Sequence, residues 1–170
     1  TAYEIVSRDW SSDVCSSDLA ALTFFLIALG NGQYLVAALS LALAGALAGF
    51  LIFNWAPASI YMGDAGALFI GFLLAVIGIR LNNESITQMR SLAIPVLIMG
   101  IPIIDTTTVV ISRIRRGVSP LQGGRDHLSH RIHARVSKRV ENSLVATRIT
   151  VLILGVASAL LAAVAYLLSR

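Results

Sequence analysis

The chain has 170 residues, of which 56% are hydrophobic and 13% are charged. A soluble domain of this length carries about a quarter charged residues, and the apolar residues here come in long blocks, so the composition indicates a membrane protein rather than a soluble one. The single cysteine excludes an internal disulfide and a cysteine metal cluster.

The first nineteen residues, Thr1–Leu19, differ from the rest because they hold four of the nine acidic residues and the cysteine. Residues 9–19 can be back-translated into a string that resembles a common sequencing-library adapter. We therefore predict that residues 1–19 are a non-native, adapter-derived segment and exclude them from the expected fold. The alternative is a short polar cytoplasmic loop.

After this segment, the apolar blocks predict one truncated and four full membrane-spanning helices, since a bilayer core needs about 20 apolar residues. The truncated span is Ala20–Leu29, and Gly30–Gln33 is a predicted turn. The full spans are Leu35–Phe53, Gly66–Ile79, Leu92–Ile111 and Ile149–Leu168. The predicted fold class is all-α, a polytopic transmembrane helix bundle with a cytoplasmic basic loop.

The orientation follows from the basic residues, nine of which lie between Arg113 and Arg148: Arg113, Arg115, Arg116, Arg125, Arg131, Arg135, Lys138, Arg139 and Arg148. The positive-inside rule places this segment in the cytoplasm. Residues 54–63 then also face the cytoplasm.

Two aspartates approach this face. Asp64 lies at the mouth of the second full span, where the positive end of a helix dipole stabilises an acid, although it could equally be a helix N-cap. Asp105 lies within the third span, roughly 12 Å from the loop at 1.5 Å per residue. An acid at that depth lines a polar cavity or bonds to a Ser, Thr or Arg of another helix. Two carboxylates are suited to Mg²⁺, but alone they do not specify a metal.

The basic segment also holds all three histidines, His127, His130 and His133, at a spacing that places them on roughly one helix face. Together with Arg125 and Arg131 they supply donors for a diphosphate. The alternatives are a histidine metal site, or a loop that only sets topology and binds anionic lipid.

These residues resemble the motifs of the polyprenyl-phosphate N-acetylhexosamine-1-phosphate transferases, a glycosyltransferase family 4 type. Three segments carry the resemblance: residues 53–66, with an Asn-x-x-Pro-Ala…Met-Gly-Asp-x-Gly pattern; residues 102–106, with Pro-x-x-Asp-Thr; and residues 116–131, with the arginine, serine–proline and histidine elements. The resemblance covers residues 20–170, which are expected to be the C-terminal part of a single membrane transferase domain.

The resemblance implies transfer of N-acetylhexosamine 1-phosphate from a UDP-sugar to undecaprenyl or another polyprenyl phosphate, with release of UMP. It implies Mg²⁺, with Mn²⁺ as an alternative cofactor. The implied catalytic residues are Asp64 and Asp105, and Asp64 is also the implied metal ligand. The implied substrate-binding residues are Asn54, Arg125, His127 and His130.

Two departures from the family pattern matter. Ser129 stands where the family has a histidine, and the Asp-Asp pair that the family carries nearer its N-terminus is not in this sequence. We therefore expect the chain to be an incomplete enzyme that is inactive alone.

The histidine segment resembles the UDP-N-acetylglucosamine branch, which starts teichoic acid, lipopolysaccharide and other envelope glycans. The expected location is the inner (plasma) membrane with the site facing the cytoplasm. The expected partners are the UDP-sugar, the polyprenyl lipid and the membrane, without nucleic acid; a homodimer is left open. The competing hypotheses are a transporter or ion-pathway fragment, which buried acids and broken helices also mark, and a non-catalytic scaffold.

Overall fold

A computed structural model describes residues 2–55, 58–81, 87–119, 127–140 and 142–170, with the backbone alone for residues 2–13, Asp64 and Gln88. Within these ranges the chain forms seven α-helices and no β-strand, which confirms the all-α prediction. The helices are α1 (Ala2–Gly30), α2 (Tyr34–Asn54), α3 (Gly63–Arg80), α4 (Gln88–Ile98), α5 (Gly100–Arg115), α6 (Leu128–Val136) and α7 (Ser143–Leu168).

Two of these helices, α2 and α7, are long and apolar enough to cross a membrane. The pair α4 and α5 qualifies as a third span if the two are counted together. Helices α1 and α3 contain shorter apolar stretches, Val14–Gly30 and Ala65–Arg80. The described residues thus contain two or three candidate spans, and the four predicted full spans are not confirmed.

The predicted span Leu92–Ile111 is broken at Met99, where α4 and α5 are bent by 75°. Pro102 has no N–H to donate to the carbonyl of Ile98, so the helical hydrogen-bond ladder is interrupted at this point. Around the break, the Met99 N–H donates to Pro95 O at 3.0 Å. The start of α5 also lies close to α7, since a Cβ on Gly100 would be 2.8 Å from Leu161 Cδ1.

Helix α1 is longer than the predicted stub, because the helix continues N-terminally through the segment that we excluded. Val14 is buried, and the hydroxyl of Ser158 on α7 donates to the Ser16 hydroxyl at 3.1 Å. Small hydroxyl side chains that bond across helices suit such packing but leave little apolar periodicity in the sequence. The adapter origin of residues 1–19 stays a prediction.

Helices α1 and α7 form the centre of the bundle. Helix α1 packs along α2 after the predicted turn at Gly30–Gln33 and also along α7, while α4 and α6 lie on α7. The buried residues of α1 and α2 include the large ring of Phe24 and four alanines: Ala21, Ala28, Ala37 and Ala44. In the described part of the chain, α3 contacts α1, α2 and α4, whereas α6 contacts α1, α5 and α7.

Candidate functional site

The connection between α2 and α3 is closed by its own residues. Asn54, the last residue of α2, is fully buried, and its Nδ2 donates to the carbonyl of Ile60 at 2.8 Å. The Ser59 N–H and hydroxyl both donate to Phe53 O, at 2.9 and 3.0 Å. The described part of this loop is therefore folded back onto the end of α2.

The side-chain amide of Asn54 serves this loop rather than an open surface. Its Oδ1 is buried and has no hydrogen-bond partner among the described residues. A buried polar atom without a partner destabilises a protein by about 1–3 kcal/mol, so one is retained only where the surroundings or a function demand it. The predicted substrate-binding role of Asn54 stays a prediction.

Asp64 is the second residue of α3, which begins at Gly63. Gly63 has a φ of +66°, a left-handed conformation that a residue with a Cβ adopts at a cost of roughly 1–2 kcal/mol. The backbone of Asp64 therefore lies in the first helical turn, where the helix dipole favours an acid, as the sequence predicted. Its side chain lies outside what the structure describes.

Asp105 lies on α5, two turns after the break at Met99, and its carboxylate contacts the start of α6. Oδ2 is 2.7 Å from Nδ1 of His127, and Oδ1 accepts the backbone N–H of Leu128 at 2.5 Å. The Asp105 side chain is 14% exposed, whereas that of His127 is 44% exposed. The acid thus reaches from within the bundle to an accessible histidine.

The histidines lie at and after the start of α6. His127 is the N-cap residue of α6, and its ring centroid is 6.5 Å from that of His130 one turn later, with the planes tilted by 46°. His133, a further turn along, has its Nδ1 3.4 Å from the Ser137 hydroxyl. Two of the predicted substrate-binding histidines are therefore adjacent, and Arg125 lies outside the described residues.

The structure brings some of the predicted site residues together and leaves others apart. Asp105, His127 and His130 form one cluster. Helix α3, which carries Asp64, makes no contact with α5 or α6 in the described part of the chain. That part also contains no group of three histidine, cysteine or acidic side chains that could hold a metal ion.

The backbone N–H of Leu128 was not among the partners expected for Asp105. The depth of Asp105 did require a polar partner, but the expected partners were Ser, Thr or Arg side chains. One signal could have identified this contact. The first turn of α6 has no side-chain cap of its own, so its backbone N–H groups need an acceptor, and the acid at Asp105 needs a donor. Ser129, at the position where the family has a histidine, is buried.

Comparison with known proteins supports the motif assignment. The family model described as Glycosyl transferase family 4 matches residues 13–82, a segment that contains α2, Asn54 and Asp64. The resemblance to this family is confirmed. The matched segment begins inside the predicted adapter-derived segment and ends before Asp105, so the family model itself does not cover the histidine cluster.

Curated relatives extend the likeness. A "Probable undecaprenyl-phosphate N-acetylglucosaminyl 1-phosphate transferase" of Bacillus subtilis is 37% identical over 112 residues, 66% of this chain and 31% of the relative. A "Decaprenyl-phosphate N-acetylglucosaminephosphotransferase" of Mycolicibacterium smegmatis is 36% identical, covering 58% of this chain and 27% of the relative. A "Phospho-N-acetylmuramoyl-pentapeptide-transferase" of Bacillus cytotoxicus is 37% identical, covering 54% and 26%.

The chain spans about a third or less of the length of these relatives. Relatives named for different donors are equally similar, at 37% identity, so overall identity does not separate the donor sugars. No solved structure gives a significant match.

Proposed function

We propose that the chain is part of a membrane enzyme that transfers N-acetylhexosamine 1-phosphate from a UDP-sugar to polyprenyl phosphate. The observation that carries the proposal is the accessible His127–His130 pair at the start of α6, anchored by Asp105, in a relative of sugar-phosphate transferases. An imidazole pair beside a basic segment, with the side chain of His127 44% exposed, suits a diphosphate.

In this reaction an oxygen of the polyprenyl phosphate attacks the phosphorus that bears the sugar. A new P–O bond forms, and the bond from that phosphorus to the bridging oxygen of the UDP-sugar breaks. UMP leaves with the electron pair of the broken bond, and the product is a polyprenyl-diphosphate sugar. No oxidant or reductant is required, so the protein needs only to position the reactants and stabilise charge.

The residues proposed to act on the substrates lie in two motif segments, which are residues 53–66 and residues 116–131. Asp64 at the start of α3 is the proposed metal ligand. His127 and His130 are the proposed donors to the diphosphate oxygens, with Arg125 in the same segment. Asn54 shapes the loop that leads to Asp64, and this loop would form one wall of the nucleotide-sugar site.

Mg²⁺ is the proposed cofactor, with Mn²⁺ able to replace it. The described residues offer no three-ligand cluster, but Mg²⁺ usually binds through one or two carboxylates together with substrate phosphates and water. An acid in the first turn of α3 fits that requirement. When bound, the ion neutralises charge on the diphosphate.

We infer that the donor is UDP-N-acetylglucosamine and that the product starts a cell-envelope glycan. The support is Ser129, which replaces one histidine of the family's histidine segment and leaves His127 and His130 as the pair. We further propose that the four predicted spans exist in the bilayer and that both motif segments face the cytoplasm, on the side where the basic residues gather.

A second candidate is an ion or proton pathway, because the 75° break at Met99 resembles the discontinuous helices of transporters. One experiment separates the two. The purified chain in lipid nanodiscs is titrated with UDP-N-acetylglucosamine with and without Mg²⁺, and the chain in vesicles is tested for flux under a pH gradient or membrane potential. Saturable, Mg²⁺-dependent nucleotide-sugar binding supports the transferase; gradient-dependent flux without such binding overturns it.

A further inference from the structure

Asp105 is placed to accept hydrogen bonds. One of its carboxylate oxygens contacts His127 Nδ1, and the other accepts the Leu128 N–H. The side chain is mostly buried, at 14% exposure.

From this geometry we propose that Asp105 is a positioning residue that holds His127 with a proton on Nδ1 and anchors the start of α6. The effect on nucleotide-sugar binding rests on the proposed function, whereas the contact of Asp105 with His127 and Leu128 does not. An ionised carboxylate can only accept hydrogen bonds, so the Nδ1 that faces it must donate. In the neutral ring Nε2 then carries no proton and can only accept, whereas in the doubly protonated ring it can donate to a diphosphate oxygen.

The contact of Asp105 with the Leu128 N–H fixes the position of the His127 ring. The first backbone N–H groups of a helix have no intrahelical acceptor, and a side chain normally supplies one. The N-cap residue of α6, His127, makes no such side-chain bond, and the Leu128 N–H is taken by Asp105 instead. One carboxylate therefore sets both the ring's protonated atom and the position of the helix that carries His130.

Orientation of a functional histidine by a carboxylate on its far nitrogen is a general device, found in metal sites and in catalytic triads. In this chain the device links two separate segments, because Asp105 belongs to α5 and the histidines to α6. The placement of the histidines therefore depends on α5, whose direction is set by the break at Met99.

An Asp105→Asn substitution tests the proposal because asparagine has one acceptor oxygen instead of two. The Leu128 N–H can only donate, so it retains that oxygen. The amide NH₂ then faces His127 Nδ1, which must accept. We expect the His127 proton to leave Nδ1 and reside on Nε2.

The measurement is the ¹⁵N spectrum of the chain labelled at histidine in lipid nanodiscs. A His127→Gln variant identifies the His127 signals, and His130 and His133 serve as internal references. Nδ1 of His127 should resonate as a protonated nitrogen in the unaltered chain and as an unprotonated one in the Asp105→Asn variant. An Asn142→Ala variant, which removes the cap of α7 instead, should leave the His127 signals unchanged.

An unprotonated Nδ1 in the unaltered chain, or a protonated Nδ1 that Asp105→Asn does not change, overturns the proposal. The spectrum of the unaltered chain decides even if the variant does not fold. In parallel, the unaltered chain is titrated with UDP-N-acetylglucosamine. If the ring behaves as expected but no nucleotide sugar binds, the positioning role stands and the proposed function fails.

Discussion

The two connections that carry the motif residues are held in opposite ways. The loop after α2 is closed by contacts six residues apart, between Asn54 and Ile60 and between Ser59 and Phe53. The start of α6 is held by Asp105, which precedes His127 by 22 residues. The first loop can keep its shape as a local unit, whereas the second depends on the direction of a separate helix.

The difference shows where the site can be disturbed. Changes near Asn54 should act on the loop that leads to Asp64 and little further. Changes at Asp105 should act on the histidines, although the α5 backbone remains intact. Four substitutions test whether the two connections respond independently.

Asp105→Ala should loosen the start of α6, because it removes both acceptors at once. Hydrogen bonds to a charged group contribute about 1.5–3 kcal/mol. Hydrogen exchange at the α6 amides should accelerate, while exchange in α7 beyond its first turns should not change. Unchanged protection of the Leu128 amide would show that α6 does not depend on α5.

Asn54→Ala should destabilise the chain by about 2 kcal/mol, because it leaves the Ile60 carbonyl without its donor. The thermal midpoint in detergent reports the loss, and limited proteolysis reports opening of the loop. Ser59→Ala is the matched control, since it removes an exposed hydroxyl that bonds to Phe53 O beside the retained Ser59 N–H. Equal effects of the two variants would contradict the central place given to Asn54.

Gly63→Ala should cost roughly 1–2 kcal/mol, because a Cβ is placed at a φ of +66°. It should also weaken Mg²⁺-dependent UDP-N-acetylglucosamine binding, since the chain turns at Gly63 directly before Asp64. Gly49→Ala, in the interior of α2 with open space around it, is the control and should be neutral or stabilising. Titration calorimetry and thermal unfolding check both effects.

Asn142→Ala should have the smallest effect, about 1 kcal/mol, confined to the first turn of α7. Its Oδ1 accepts from the N–H groups of Leu144 and Val145, at 3.0 and 3.4 Å, so it is the local counterpart of the long-range contact at α6. Nucleotide-sugar affinity should remain unchanged. Faster hydrogen exchange at the α6 amides in this variant, as large as that of Asp105→Ala, would mean that general loosening, not the specific contact, controls the start of α6.

The sequence predicted what depends on apolar runs and near neighbours. The span Leu35–Phe53 lies within α2, the span Ile149–Leu168 ends at the end of α7, and the turn at Gly30–Gln33 is present. These features follow from local composition, which is why they could be read from the chain alone.

What the sequence did not predict depends on tertiary packing. The sequence predicted one span over Leu92–Ile111, but the break at Met99 reflects the missing N–H of Pro102 and the close approach of Gly100 to α7. The packing of Cys15 and Ser16 against α7 joins residues far apart in the sequence. The partners of Asp105 depend on a contact 22 and 23 residues away.

The central claim is that the two motif segments act on one metal–nucleotide complex. It is tested most directly by adding Mn²⁺ and UDP-N-acetylglucosamine to the histidine-labelled chain and measuring paramagnetic broadening. The account predicts that His127 and His130 broaden more than His133, and that Asp64→Asn removes the effect. Broadening that persists in Asp64→Asn, or nucleotide-sugar binding that leaves His127 and His130 sharp, would contradict it.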